Sequence, residues 1–202
     1  MEDKEKILVF SRDKFFREGF YKTSMDELAR ELKMSKKTIY KYYPSKENLI
    51  EEVVDNLTKE YSQKISQVLE RNIDAVSKIQ ELLGILSSLF LKISDQWLKD
   101  MQYHTPHLWE KIDTFRTRMM YNNIGKIFLQ GEKEGLFEER PVELLLVIFI
   151  SSLRAIVNPD FLLNNKFSHT EAVEQAFHIL LNGILTDKGA KTFNNSKSRI
   201  NR

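Results

Sequence analysis

The chain has 202 residues, 42% of them hydrophobic, with 31 Lys and Arg against 29 Asp and Glu for a net charge of +2. Seven glycines, four prolines and no cysteine favour long helices over a turn-rich β fold and exclude disulfides and thiolate chemistry. The opening apolar run is too short for a secretory leader, and "LLLVIFI" at 144–150 falls well short of the roughly 20 residues a membrane span needs, so the expectation is a soluble, all-α protein.

Lys4 to Arg17 places Ile7, Leu8, Phe10, Phe15 and Phe16 along one helical stripe, and Gly19 closes that helix. Ser24, followed three residues later by Glu27, is a capping box. It starts a short helix with Met25, Leu28, Ala29 and Leu32 on its inner face. A tight turn, Lys33-Met34-Ser35, leads to a third helix, "KKTIYKYY", capped by Ser35 and stopped by Pro44. Ile39 and Tyr43 point inward there, leaving Lys36, Lys37, Tyr40 and Lys41 outside. Ser45 caps a long fourth helix through Leu49, Ile50, Val53, Leu57 and Tyr61.

Further helical patterns cover about 75–93, 95–103, 107–133, 141–157 and 169–186, the last opened by a second capping box, Ser168 with Glu171. The expectation is about nine helices. They divide into a helix-turn-helix domain at 1–46, a larger helical domain at 47–187 for effector binding and dimerisation, and a basic tail at 188–202 that lacks periodicity and is expected to be unstructured.

Charge is local. Residues 33–46 carry five lysines and no acid. A lysine run on a helix is ordinarily just a solvated face. Here it lies on the second of two short capped helices, separated by a tight turn and followed by a long helix, which reads as a helix-turn-helix. A helix in the major groove needs donors for base edges and groups that grip phosphate, and "SKKTIYKYYPSK" supplies both at the end that enters the groove.

These residues carry a resemblance. Gly19-Phe20, Thr23-Ser24, Met25 with Leu28-Ala29, Ser35 to Tyr40 and Ser45-Lys46-Glu47 together resemble the DNA-binding domain of the TetR family of bacterial transcriptional regulators. The resemblance covers about the first fifty residues and implies a role for each. Thr23 and Ser24 would bind phosphate at the head of the second helix. Lys36, Lys37 and Tyr40 would face bases, with Ser35 on the same face. Thr38, Lys41, Tyr42 and Lys46 would grip the DNA backbone. The chain departs from the family pattern at Lys33, where glycine is common and a left-handed conformation is expected, and at Tyr43, where Phe is usual.

The resemblance also implies a homodimer on an inverted-repeat site in double-stranded DNA, since one helix-turn-helix reads too few bases for specificity. The interface would come from the helices at 141–157 and 169–186, through Leu145, Ile148, Ser152, Ala155, Ala172, Ala176, Ile179 and Gly183. The bulky residues of the middle, Phe90, Trp97, Met101, Tyr103, His104, Trp109, Phe115, Met119 and Phe128, would line a pocket for a lipophilic effector. For any one of them taken alone, plain core is the favoured reading, and the pocket is a reading of the group. The regulator would be cytoplasmic and, on DNA, part of the nucleoid.

His104 and His107 in "YHTPH" are split by Pro106 and meet no further ligand pattern, so no metal or other cofactor is expected. No P-loop, G-x-S-x-G or dinucleotide fingerprint is present, and no enzyme activity is expected. The leading expectation is therefore a repressor released by its effector. An architectural DNA-binding protein of the same fold is the alternative, and a helical enzyme or lipid carrier the remote one.

Overall fold

The computed structural model describes residues 2–165 and 167–200. The described residues are almost wholly helical, with no strand and one isolated bridge between Phe137 and Leu185. The helices are α1 (Asp3–Glu18), α2 (Met25–Glu31), α3 (Lys36–Tyr42), α4 (Lys46–Glu70), α5 (Ala75–Phe90), α6 (Asp95–His104) and α7 (Pro106–Met119). A π-helical turn (Met120–Ile124) follows, then α8 (Gly125–Lys133), α9 (Val142–Ile156), α10 (Pro159–Asn165), α11 (His169–Asn182) and α12 (Asp187–Ile200).

Three features differ from the sequence reading. The single helix expected over 107–133 is α7 and α8 joined by the π turn, a one-residue register shift that hydrophobic periodicity is too coarse to show. α10 is too short to carry a periodic signal. The tail expected to be unstructured begins as α12, because Gly189 and Phe193 let it pack. A side chain at Gly189 would strike the Leu136 carbonyl, and Phe193 is buried. Lys188 donates to the Glu134 carbonyl at 2.7 Å and Gln80 to the Phe193 carbonyl at 2.9 Å. The count of about nine helices is thus exceeded.

The chain forms two compact units. The first comprises the residues up to Tyr61 together with Leu91–Thr114; the second comprises Ser62–Phe90 and the residues from Phe115 on. The expected boundary at 46 coincides with the start of α4, while the first unit runs on to Tyr61 and takes in α6 and the start of α7.

In the first unit Ile7, Phe15, Phe20, Leu28, Ile39, Tyr43 and Leu49 are almost completely buried. Phe20 and Trp97 meet edge-on at 5.3 Å, and Phe16 and Trp97 at 5.0 Å, an arrangement that aligns ring edge with ring face. Lys14 of α1 is buried and pairs with Glu18 at 3.0 Å, Glu27 at 3.0 Å and Glu31 at 3.1 Å, tying α1 to α2. Burial alone would lower its pKa. The three carboxylates outweigh burial and leave it raised, so the amine stays charged. The second unit also packs rings: Phe128 meets Phe149 at 5.2 Å and Phe137 at 6.1 Å, and Phe149 meets Phe177 at 6.0 Å.

Candidate nucleic-acid interface

The helix-turn-helix is set by three serine caps. Ser24 accepts from the Glu27 amide at 3.1 Å, Ser35 from the Thr38 amide at 3.0 Å and Ser45 from the Asn48 amide at 3.1 Å, opening α2, α3 and α4. Each such cap is worth about 1 kcal/mol. Between α2 and α3, Lys33 adopts φ 55°, the left-handed conformation expected there, and it is the only non-glycine residue with positive φ among the described residues. Its amide donates to the Arg30 carbonyl at 3.1 Å and the Met34 amide to the Ala29 carbonyl at 2.9 Å, which closes the turn.

This turn fixes which face of α3 looks out. Ile39 and Tyr43 are buried, and burial, with the Glu52 charge second, pushes the Tyr43 phenol up to about 12. Lys36, Lys37, Tyr40 and Lys41 are exposed. Lys36 is paired with Asp26 of α2, and the Lys41 amine lies 5.2 Å from the centre of the Tyr42 ring. Lys37 and Tyr40, the latter 45% exposed, have no ion pair or hydrogen bond among the described residues. The free, outward donors are therefore concentrated on one side of a seven-residue helix.

Three residues assigned to phosphate sit differently. Thr23 is buried and its hydroxyl donates to the Gly19 carbonyl at 3.4 Å. The Thr38 and Ser35 hydroxyls share a hydrogen bond of 2.7 Å. Lys46 is half-buried and donates to the Tyr21 carbonyl at 2.8 Å, and burial lowers its pKa against the opposing pull of Asp100 and Glu27. In this geometry all three shape the turn and caps. Ser24, though it caps α2, is exposed.

Residues 7–53 match the model for bacterial regulatory proteins of the tetR family. The HTH-type transcriptional regulator YvaF of Bacillus subtilis is 22% identical over 187 residues, 92% of this chain and 98% of that one. A solved TetR-family regulator from Marinobacter aquaeolei superposes with TM-score 0.75 at 19% identity, over 98% of both chains. The SmeT–triclosan complex superposes with TM-score 0.66 at 12% identity, over 91% of this chain and 92% of that one.

Residues 7–53 carry the tetR-family DNA-binding domain. The chain as a whole shares the all-α fold of solved TetR-family regulators, and the outward face of α3 lies within the matched region. No helix among the described residues is long and apolar enough to cross a membrane, and no cluster of three or more His, Cys, Asp or Glu is placed to hold a metal among them.

The structure places the remaining expected site residues as follows. On α9 and α11, Ile148, Ala155, Ile179 and Gly183 are exposed, Ser152 is half-buried, and Leu145, Ala172 and Ala176 turn into the second unit. The exposed stripe of α9 runs through Leu144, Val147, Ile148, Ser151 and Ala155, one residue out of phase with part of the expected set. Of the expected pocket residues, Trp97, Met101, Tyr103, His104 and Trp109 belong to the first unit, and Phe90, Phe115, Met119 and Phe128 to the second. Trp97 and Met101 are fully buried, Tyr103 and His104 are exposed, and Phe128 is the centre of the ring cluster described above.

The histidines of "YHTPH" end on opposite sides of the Pro106 break. His104 stacks on Tyr21, with ring centres 3.6 Å apart, and His107 Nε2 lies 3.5 Å from Glu47 at the head of α4. Neither pairing carries a sequence signal, since the partners lie far away in a chain read one helix at a time.

Proposed function

We propose that two copies of this chain pair through α9 and α11, grip an inverted repeat in double-stranded DNA with their two α3 helices, and repress transcription until a small lipophilic molecule enters the second unit. The observation that carries the reading is the outer face of α3, where Lys37 and Tyr40 stand exposed and unpaired on a helix whose inner face is fully buried. Lysine donates to guanine acceptors in the major groove, and Tyr hydroxyls serve base edges or phosphate. Ser24 at the head of α2 and Lys41 on the outside of α3 are left for the DNA backbone.

Pairing is supported by the apolar stripe on α9, with Leu144 55%, Val147 49% and Ile148 41% exposed, beside Ile179 of α11 at 69%. A stripe of that kind beside small residues, Ser151, Ala155 and Gly183, suits close helix approach in a self-complementary interface. The effector reading rests on α5. Its Leu82, Leu83, Ile85, Leu86 and Leu89 are all only partly buried, so its middle presents apolar surface without a tightly filled core around it. That the SmeT neighbour is a complex with triclosan supports a small molecule as the effector. Release then requires only that the ligand prefer the conformation that holds DNA poorly.

The test is to mix purified protein with sheared genomic DNA from its source and sequence what it retains. Recovery of a few fragments sharing an inverted repeat supports the dimeric regulator, and the genes beside them supply candidate effectors to add back. Broad retention without a motif would instead support the architectural role. Retention of nothing at physiological salt would overturn both.

A further inference from the structure

The loop between α1 and α2 leads straight into Ser24 and the head of α2, and all of its backbone groups from Gly19 to Tyr21 are engaged. The Gly19 amide donates to the Phe15 carbonyl at 2.8 Å, and the Gly19 carbonyl accepts from the Thr23 hydroxyl at 3.4 Å. The Phe20 carbonyl accepts from the Thr23 amide at 3.1 Å, and the Tyr21 carbonyl from Lys46 Nζ at 2.8 Å. Two amides are left, those of Phe20 and Tyr21. Both donate to Oδ2 of Asp100 in α6, at 2.6 Å and 2.7 Å.

Asp100 is only 1% exposed. Its other oxygen, Oδ1, accepts from Gln96 Nε2 at 2.6 Å. A buried carboxylate is costly unless such bonds satisfy it, and charge-assisted bonds from backbone amides are among the strong ones. The surroundings leave it no slack. The Ser94 amide donates to the Phe16 carbonyl at 2.7 Å, and Trp97 packs edge-on against Phe16 and Phe20. Gly19 has φ 79°, and a Cβ there would strike Gln96 and Asp100 at 2.5 Å and 2.6 Å, so only glycine lets the loop come this close.

We infer that Asp100 is a positioning residue for DNA binding: by holding the Phe20 and Tyr21 amides it sets the height and angle at which Ser24 and the head of α2 meet the DNA backbone. Without it two amides lose their partner inside the unit, and the loop keeps the Lys46, Thr23 and Phe15 bonds and the ring packing of Phe20 and Tyr21, none of which holds those amides. The same bond makes α6, like α4 through Lys46, an element whose displacement reaches the α1–α2 loop directly. The inference rests on the DNA-binding reading of α2 and α3.

Hydrogen exchange on the free wild-type protein tests the anchor by itself. The Phe20 and Tyr21 amides are expected to exchange at least about 100-fold more slowly than an exposed loop amide, and exchange as fast as an open loop overturns the inference. Affinity for a double-stranded fragment retained by the wild type tests the consequence. Asp100→Ala is expected to weaken binding about tenfold or more and to reduce the salt slope by about one for each phosphate no longer gripped. Asp100→Asn, which keeps an acceptor oxygen, is expected to restore most of both. Leu98→Ala removes buried volume from the same helix while keeping the Asp100 carboxylate, and is expected to lower the melting temperature while leaving affinity and slope unchanged.

Equal loss of DNA binding in Asp100→Ala and Leu98→Ala, at equal loss of stability, would reduce Asp100 to a structural residue. If Asp100→Ala does not fold, Gln96→Ala carries the test, since it strips Oδ1 of its partner from an exposed position. Faster exchange at Phe20 and Tyr21 together with weaker DNA binding is then expected, and a change in one alone contradicts the inference. A wild type that retains no DNA at all removes the DNA-binding reading but leaves the exchange result to stand for the anchor.

Discussion

Each unit combines polar bonds with packed rings, and the two differ in where the polar bonds are concentrated. In the first, directional polar bonds gather around the reading head beside its buried rings: Lys14 inside its three carboxylates, the serine caps, and Asp100 on the α1–α2 loop. The second adds to polar bonds such as those of Lys78 and Gln130 a chain of rings, Phe137, Phe128, Phe149 and Phe177, and it leaves an apolar stripe of α9 and α11 in the open. Directional bonds fix angles, which a reading head needs if Lys37 and Tyr40 are to reach base edges. Apolar packing is non-directional and can rearrange around a ligand or a second copy at small cost. The contrast gives each unit a distinct way to fail.

The largest effect should come from the ring cluster. Phe128→Ala removes a fully buried side chain touching Phe137 and Phe149, and is expected to cost about 3–5 kcal/mol, read from denaturant unfolding. A loss under about 1 kcal/mol would mean that the second unit closes around the gap, and the contrast in rigidity would favour the first unit even more strongly.

Lys14→Met should cost less, about 2 kcal/mol, because its carboxylate partners are partly exposed and can rehydrate. Its signature is in acid. Hydrogen bonds from Arg17 and then Lys14 hold Glu18 below its ordinary carboxylate value of 4.5, and the hydrogen bond from Lys14 does the same for Glu27. Groups with lowered folded-state values contribute stability above their ordinary pKa and lose it as pH falls through the lowered one. The wild type should therefore lose stability between about pH 5 and about pH 3 more steeply than Lys14→Met does. Parallel acid curves would show that the cluster is not what holds α1 to α2.

Lys37→Ala touches neither unit's interior. Melting temperature should be unchanged, while affinity for the preferred DNA falls by about 1–3 kcal/mol with relaxed specificity at one base position. A uniform loss on all sequences would move Lys37 from base to phosphate. The smallest effect is a gain: Lys33→Gly relieves the left-handed strain at φ 55° and should stabilise the protein by about 0.5–1 kcal/mol in denaturant unfolding.

What the sequence made legible was local. Ser24, Ser35, Ser45 and Ser168 cap the helices they were expected to cap, Ile39 and Tyr43 face inward, and Lys33 is left-handed where a glycine is missing. Each of these depends on residues within a few positions. The face of α9 was not legible in phase, because a helix apolar nearly all round gives no periodic clue to whether Leu144 or Leu145 points out. The role of Asp100 was invisible for another reason: it is one acid among 29, and its partners are the amides of Phe20 and Tyr21, about eighty residues earlier and without any side-chain signature.

The central claim is that paired chains present two α3 helices to two half-sites. Hydroxyl-radical footprinting of a retained fragment, with the bound mass measured on the same sample, tests it most directly. The account predicts two protected patches related by an inverted repeat, centred one helical turn of about 10 base pairs or a multiple of it apart, with an even number of chains bound. A single protected patch under one chain, or protection that survives replacement of Lys37 and Tyr40 together, would contradict it.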